Sequence, residues 1–526
     1  MFDLVIKNGT IIDGSKTPAY RGDVGIRGDR IVALGQLEIA ESQQVIDASG
    51  KIVAPGFVDV HTHADGWLLK TPNFYSKTSQ GFTTEVIMAD GISYAPVNPD
   101  TASEWLYYMR TLNGLRFSDY EGWESIADYM ALLDRRTAQN SIPHVPYANV
   151  RTLACGFGRY GPDDVQMNQI IAEIEKGMDA GAVGLSTGLD YIVQCHATTD
   201  ELVEACRAIA PQQGLYVTHI RYKKGIIKGV MEAVEIGKRA GVPVHISHLK
   251  GQAQGQGEID DELLTYIDQV ATQEVDFSFD VYPYMASSTM LNSLFPYEIW
   301  ADGPLRVFEK LRQPAIQRRI AAGLQTVDLN STYIAWLPSK QNSHYQGQSL
   351  AHYCTEVGLP PAEACTNLLI EENLAVLLVF RLDDNDALVN SYLSHSHFML
   401  GSDGIYQEGG IVHPRQYGSA TRLIGPLRRD HALFSLEEAI YKLSAFPAER
   451  FGLLGRGTIK EGNFADLVIF DAQSVSDRAT LEQPQQLSTG IEHVIVNGVP
   501  IITDSQPIMD FPQDPPGRAL RFKQAK

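Results

Sequence analysis

The 526-residue chain is predicted to be an α/β protein: a (β/α)8 TIM barrel with a small β-sandwich domain formed by both chain ends. Three observations carry that expectation. Residues 1–55 are short β-rich runs separated by tight-turn dipeptides. The middle of the chain alternates apolar strand-like runs with longer helical patterns, the signature of βα units. The β-rich texture then returns near the C-terminal end. A single α/β barrel absorbs about 250 residues or more, so a chain of this length need not hold the three or four domains that its length alone would allow.

Taken in order, the N-terminal runs are Phe2–Lys7, Thr10–Ile12, Asp23–Arg27, Arg30–Leu34 and Gln44–Ile46. Asn8-Gly9, Asp13-Gly14 and Gly28-Asp29 between them favour tight turns. Eight barrel strands are expected at Ile52–Val60, Thr83–Met88, Val145–Ala154, Ala182–Ser186, Leu215–His219, Val242–His248, Val275–Tyr282 and His397–Gly401. Helices are expected over Val165–Ala180, Thr199–Ile209, Lys228–Arg239, Asp260–Ala271 and Ser435–Phe451. The span between the seventh and eighth strands is too long for one helix. It holds Tyr284, Phe295, Tyr297, Trp300, Trp336 and Tyr345 and reads as an insertion over the barrel mouth, its aromatic side chains serving either an apolar part of a ligand or the insertion's own small core. Ala465–Phe470 and His493–Val496 resume the β-texture. The expected domains are therefore 1–55 with 454–526, and 56–453, with the insertion inside 285–395.

Composition narrows the function. Hydrophobic residues are 44% and charged residues 20%, which suits a large globular core. The formal net charge is −20, which repels phosphate backbones and anionic lipid; neither nucleic acid nor membrane is an expected partner. No run of about 18 apolar residues occurs. The 5 cysteines form no CxxC pair, and the N-terminus lacks the pattern of a signal peptide, so a reducing, cytoplasmic setting is expected. A homo-oligomer stays open.

The chemistry concentrates where histidines end apolar runs. In Pro55-Gly-Phe-Val-Asp-Val-His61-Thr-His63, alternation along a strand aims His61 and His63 to one side, which at the C-terminal end of a barrel strand is the site face. Neutral imidazoles are good ligands for a borderline divalent metal such as zinc. A bare pair of histidines is as often structural. Here His219 and His248 close two later runs in the same way. His245, three residues before His248, falls on the opposite face and is expected to pack against helices. Asp403, at the end of the eighth strand, can bind metal and accept a proton from water.

His61-x-His63, His219, His248 and Asp403, each at a strand end in this order, resemble the amidohydrolase superfamily, and within it the N-acyl-D-amino-acid deacylases (D-aminoacylases). Gly81-Phe-Thr-Thr, Gly184-Leu-Ser-Thr-Gly-Leu, Ser247-His-Leu-Lys250, Asp280-Val-Tyr-Pro-Tyr284, Ser288-Thr289, His413-Pro-Arg415-x-Tyr417-Gly418 and Gly457-Thr-Ile-Lys-Glu-Gly462 extend the likeness over nearly the whole chain. It implies hydrolysis of the amide of an anionic N-acyl-D-amino acid with one or two divalent ions, zinc foremost. His61, His63 and Asp403 would hold the more buried ion and His219 and His248 the second. Asp403 would be the catalytic acid–base. Lys250, Tyr282, Ser288 and Arg415 would grip the substrate carboxylate, a role suited to cations and hydroxyls; Lys250 and Arg415 could equally be surface charges and Tyr282 a core residue.

Two departures stand out. Asp90 occupies the place where the family usually carries a metal-ligating cysteine; a carboxylate is a harder ligand that can still bind or bridge metal, or else cap its own loop. Tyr222-Lys223-Lys224 stands where the family tends to carry an acid. Other readings are a different amide or cyclic-amide hydrolase, a catalyst for another acylated compound, and a non-catalytic scaffold. Hydantoinase-like enzymes often use a carboxylated lysine on the fourth strand, and Gly181–Thr187 has none.

Overall fold

The computed structural model describes residues 1–37, 42–250, 256–381 and 385–524, with backbone alone at 256–259; the parts of the expected domain and insertion ranges at 38–41, 382–384 and 525–526 lie outside the described residues. Where two packed sheets were expected from the chain ends, their strands pair into one mixed nine-stranded sheet. The two ends join where Leu467–Phe470 runs antiparallel to Ile52–Pro55. Phe2–Ile11 is one continuous strand rather than two runs and a turn. Asn8 takes a left-handed φ of 61° and the register shifts between Ile6 and Gly9, so Asn8-Gly9 is a bulge. Leu4, Ile6, Val24, Ile26, Val53, Leu467 and Ile469 share one apolar cluster in this sheet. Gly28-Asp29 does form the expected turn, between the paired Arg27 and Arg30.

The middle of the chain carries parallel strands. Phe57–Asp59, Phe82–Ile87 and Asn140–Pro143 form one group, and Val145–Pro146, Gly184–Gly188, Leu215–His219, Val244–Ile246, Phe277–Val281 and Phe398–Leu400 form another. Nearly every residue in them is buried, which is why they read as continuous apolar runs rather than alternating ones. The two groups meet through a parallel bridge of Thr62 with Gly404 and the bond from the Asp403 N–H to the His61 carbonyl, 2.8 Å.

Three expected elements differ. The run Ile52–Val60 changes sheets: Ile52–Pro55 belongs to the mixed sheet and Phe57–Asp59 to the parallel one. Gly56 lies between them, where a Cβ would stand 2.3 Å from Thr83 Oγ1. Of Val145–Ala154 only Val145–Pro146 is strand, and Tyr147–Cys155 is a helix. A short buried helix and a buried strand give the same unbroken apolar signal. Ser435–Phe451 is two helices, Leu436–Leu443 and Ala445–Arg450.

Between the parallel strands Phe277–Val281 and Phe398–Leu400 lies a three-stranded antiparallel sheet of Ser287–Met290, Thr332–Trp336 and Leu377–Phe380, with helices Pro314–Leu324, Leu350–Val357 and Pro361–Glu371. Trp300 is buried in the main core. Trp336 lines a separate cavity of about 690 Å3, alongside Trp67, Arg110 and Lys340. Much of the aromatic insertion thus faces away from the histidines.

Candidate metal centre

The parallel strands end in a ring of buried imidazoles and carboxylates. His61 and His63 follow Phe57–Asp59, His219 ends Leu215–His219, His248 follows Val244–Ile246, and Asp403 follows Phe398–Leu400. His61 Nε2 lies 3.6 Å from both Asp90 Oδ1 and Asp403 Oδ1. His63 Nε2 is 3.1 Å from Asp403 Oδ1 and 3.7 Å from Asp90 Oδ2. His248 Nε2 is 3.9 Å from Asp90 Oδ2 and 3.0 Å from His219 Nδ1. Two sets of three, His61–His63–Asp403 and His61–Asp90–His248, each bring one ligand atom per residue within 4.8 Å of one another. Five of the six candidate ligands fall in these sets, and His219 joins them only through its 3.0 Å contact with His248.

The donors fit a cation. Both ring nitrogens of His61 and both carboxylate oxygens of Asp90 are buried without a hydrogen-bond partner among the described residues. Unanswered buried charges of this kind are costly unless an ion or ligand answers them. The carboxylate of Asp90 makes no bond to backbone amides, so it does not cap its own loop. Its two oxygens face different imidazoles. Burial alone would raise the Asp90 carboxyl, but His61 and His248 hold it well below the usual range. For His61, burial is outweighed by Asp90 and Asp280, which raise it well above an ordinary imidazole.

The backbone around these ligands is unusual. Asp90, His248 and Asp403 all have left-handed φ, of 57°, 36° and 48°. Non-glycine residues adopt this region at a cost of about 1–3 kcal/mol, and only where surroundings over-determine it. Around Asp90 those surroundings are explicit. The Met88 N–H donates to Asp65 Oδ1 (3.2 Å), Ser186 Oγ donates to the Met88 carbonyl (2.7 Å), and Gln194 Nε2 donates to the Asp90 carbonyl (2.8 Å). Below the ring, a Cβ at Gly401 would stand 2.3 Å from Asp280 Oδ1, so only glycine lets the last strand approach.

Several supporting residues went unrecognised in the sequence. Asp280 accepts from the His248 N–H (2.9 Å), pairs with His245 Nε2 (2.9 Å) and faces His61 Nδ1 (3.7 Å). Asp190 Oδ2 faces His219 Nε2 at 3.6 Å, and Tyr222 OH lies 3.3 Å from His248 Nδ1. Each addresses the ring nitrogen that points away from the cluster, which fixes the tautomer and orientation of a metal ligand. Asp280 had a signal: it is a carboxylate within a buried apolar strand. Asp190 had none, and Tyr222, at the start of a short 3-10 turn, stood out only as part of the departure Tyr222-Lys223-Lys224, with nothing local to tie it to His248. His245 packs on Phe451, ring centroids 5.3 Å apart.

The four expected carboxylate-gripping residues separate. Tyr282 and Ser288 line a cavity of about 290 Å3 together with His219, His248 and Asp403. Lys250 and Arg415 lie behind its wall, 1% and 0% exposed, so neither is a surface charge. They flank the Tyr282 ring at 4.1 and 4.5 Å. The Lys250 ammonium donates to the carbonyls of Tyr284 (2.8 Å), Met285 (2.8 Å) and Ala286 (2.7 Å). All three of its donors are thus engaged by this backbone. Arg415 pairs with Asp403 Oδ2 at 2.8 Å and donates to the Ser288 carbonyl at 3.1 Å. Burial would raise the Asp403 carboxyl, but Arg415 and the neighbouring imidazoles hold it far below the ordinary range.

Comparison with known proteins places the fold. A family model for the amidohydrolase family matches residues 44–502. D-aminoacylase of Alcaligenes xylosoxydans xylosoxydans is 35% identical over 502 residues, 95% of this chain and 94% of that one. N-acyl-D-glutamate deacylase of the same organism is 34% identical over 526 residues, 99% and 96%. The crystal structure of N-acyl-D-glutamate deacylase from Bordetella bronchiseptica, complexed with zinc and a phosphonate mimic of the tetrahedral intermediate, superposes with a TM-score of 0.85 at 31% identity, covering 99% of each chain.

Proposed function

The chain belongs to the amidohydrolase family, and we propose that it hydrolyses the amide bond of N-acyl-D-amino acids, releasing a carboxylate and a D-amino acid. One or two zinc ions would be held by His61, His63, Asp90, His219, His248 and Asp403. The observation that carries this reading is the pair His61 and Asp90, buried and unbonded at the centre of four further ligands. Full-length relatives acting on D-glutamate and other D-amino-acid amides support the substrate class. We also read the two parallel groups as one eight-stranded barrel, counting Asn140–Pro143 and Val145–Pro146 as two halves of one strand, supported by the Thr62–Gly404 bridge, with residues 1–55 and 454–526 as the β-domain and 56–453 as the barrel.

When bound, the metal supplies positive charge that acidifies water and polarises the amide carbonyl. Asp403 takes the proton of the attacking water at Oδ1, the oxygen facing His61 and His63, and returns it to the leaving amine. Arg415 holds the other oxygen, Oδ2, so the carboxylate keeps one orientation through both transfers. Tyr282 offers its hydroxyl to the substrate carboxylate at the cavity wall; the Ser288 hydroxyl beside it donates to the Leu378 carbonyl (2.7 Å) and would have to turn from it to serve the same carboxylate. Lys250 fixes the backbone of 284–286 that leads into Ser288. Asp190 and Tyr222 keep His219 and His248 turned inward.

No helix among the described residues is long and apolar enough to cross a membrane. The test is a hydrolysis screen of paired N-acetyl-D- and N-acetyl-L-amino acids. D-selective turnover, lost on chelation and restored by zinc, is expected. Turnover that prefers L-amino acids or survives complete metal removal overturns the reading.

A further inference from the structure

The catalytic cavity has a cation that the hydrolytic scheme leaves unused. Its wall includes Asp190, Asp403 and Lys223 together with the hydroxyls of Ser287, Thr289 and Ser293. Each acid is answered. Asp403 is paired with Arg415 and faces two imidazoles. Asp190 accepts from Tyr297 OH (2.5 Å) and the Lys223 N–H (3.2 Å) and faces His219. Lys223 is not: no carboxylate lies within 4.0 Å of its ammonium among the described residues. The ammonium is nevertheless fixed in place. It donates to the Ser293 carbonyl (2.8 Å) and lies 4.3 Å over the Tyr297 ring, and because the residue is exposed at the cavity its remaining N–H groups are open to a ligand. Thr289 Oγ1, on the same wall, is buried without a partner. Leu294 and Phe380 line an apolar part of the same cavity, while the ammonium and the Thr289 hydroxyl mark the part of the wall suited to a carboxylate.

We propose that Lys223 is a specificity residue, binding a second carboxylate of the substrate in addition to the α-carboxylate, so that the preferred substrates are dianionic N-acyl-D-amino acids. This rests on the deacylase reading above. The second carboxylate can come from two sources, an acidic side chain or a dicarboxylic acyl group. The cavity, about 290 Å3, lies at the small end of small-molecule sites of about 300–1,000 Å3, which favours compact molecules of either kind. It also accounts for how a chain of net charge −20 takes up a doubly negative substrate: the cation stands at the cavity itself.

The test uses zinc-loaded full-length protein and two matched pairs. N-acetyl-D-glutamate against N-acetyl-D-glutamine varies the side chain, and N-succinyl-D-leucine against N-pentanoyl-D-leucine varies the acyl group. In at least one pair the acid is expected to exceed its neutral partner in kcat/KM by about threefold to tenfold, the range for a charge pair at a solvent-accessible site; which pair responds identifies the source. Lys223→Met should bring that ratio to about one, Lys223→Arg should keep it, and Lys223→Glu should invert it. A neutral partner preferred in both pairs overturns the proposal, and so does a ratio unchanged in Lys223→Met, which would leave Lys223 as a strut between the 219–223 loop and the insertion. The wild-type ratios decide the matter even if a variant fails to fold. If none of the four compounds, and no other N-acyl-D-amino acid, is hydrolysed, the deacylase reading itself fails and this proposal falls with it.

Discussion

Two layers of buried charge lie one above the other at the end of the parallel strands, and they are handled oppositely. In the lower layer, Asp59, Lys77, Glu85 and Ser402 are all 0% exposed. Lys77 contacts Asp59, donates to Ser402 Oγ (2.7 Å) and lies 3.5 Å from Glu85. Asp59 also accepts from the Ser402 N–H (2.8 Å) and the His61 N–H (3.3 Å). Two residues higher, His61 and Asp90 are as deeply buried, yet among the described residues neither side chain makes a hydrogen bond, and Asp90 faces only imidazoles at 3.6 to 3.9 Å. The lower layer answers its carboxylates with a lysine in close contact; the upper layer answers Asp403 with Arg415 but Asp90 only with imidazoles at a distance. A buried carboxylate matched by a lysine is architecture, whereas one left unmatched marks where an ion from solution belongs.

The contrast can be broken at either layer. The largest effect is expected in the upper one: Asp403→Asn should lower turnover by about 10²–10⁴-fold, the range for losing a positioned acid–base group, while elemental analysis still finds most of the metal. In the lower layer, Lys77→Met strands Asp59 and Glu85 without a cation and should cost about 3–5 kcal/mol in chemical denaturation. Asp90→Asn removes the carboxylate that His61 and His248 hold ionised, so the metal-free protein should lose about 1–3 kcal/mol of stability near neutral pH, and metal should be retained more weakly on dialysis. If metal-free Asp90→Asn is as stable as wild type, the imidazoles do not answer Asp90 within the chain.

The smallest effect concerns a third buried cation. Lys442 is 1% exposed and donates to the His395 carbonyl (2.5 Å), but its nearest carboxylate, Glu438, is 3.9 Å away. Burial pushes its amine down to about 8. The folded state therefore holds this proton less tightly than the unfolded chain. The protonated form weakens the fold below about pH 8, and that penalty is relieved as pH rises through 8 toward the ordinary lysine range near 10.4. Wild type should gain stability relative to Lys442→Met across that interval, measured as a difference in melting temperature.

The candidate metal ligands were legible because each ends or follows a buried apolar strand, where an imidazole or carboxylate is costly without a partner. Asp59, Glu85 and Asp280 carry the same signal inside strands, but a carboxylate there can equally be matched by a buried cation, as Asp59 is by Lys77. Lys250 and Arg415 look alike in sequence, yet only Arg415 touches the reacting carboxylate; the three carbonyls that occupy Lys250 come from residues more than thirty positions away. The insertion was recognised by its length, but not which cavity its aromatics would face.

The sequence by itself determined the α/β class, the family, the order of the ligands and the substitution of aspartate for cysteine at position 90. All of these depend on residue type and local spacing. The tertiary structure decided what local spacing cannot encode: that Asp90 is unbonded and turned toward three imidazoles, that Asp280 and Asp190 brace them from outside, and that Lys223 stands at the catalytic cavity without an acid. Each of those is a statement about which distant groups share one small buried volume. A charge acquires its role from whether that volume already answers it.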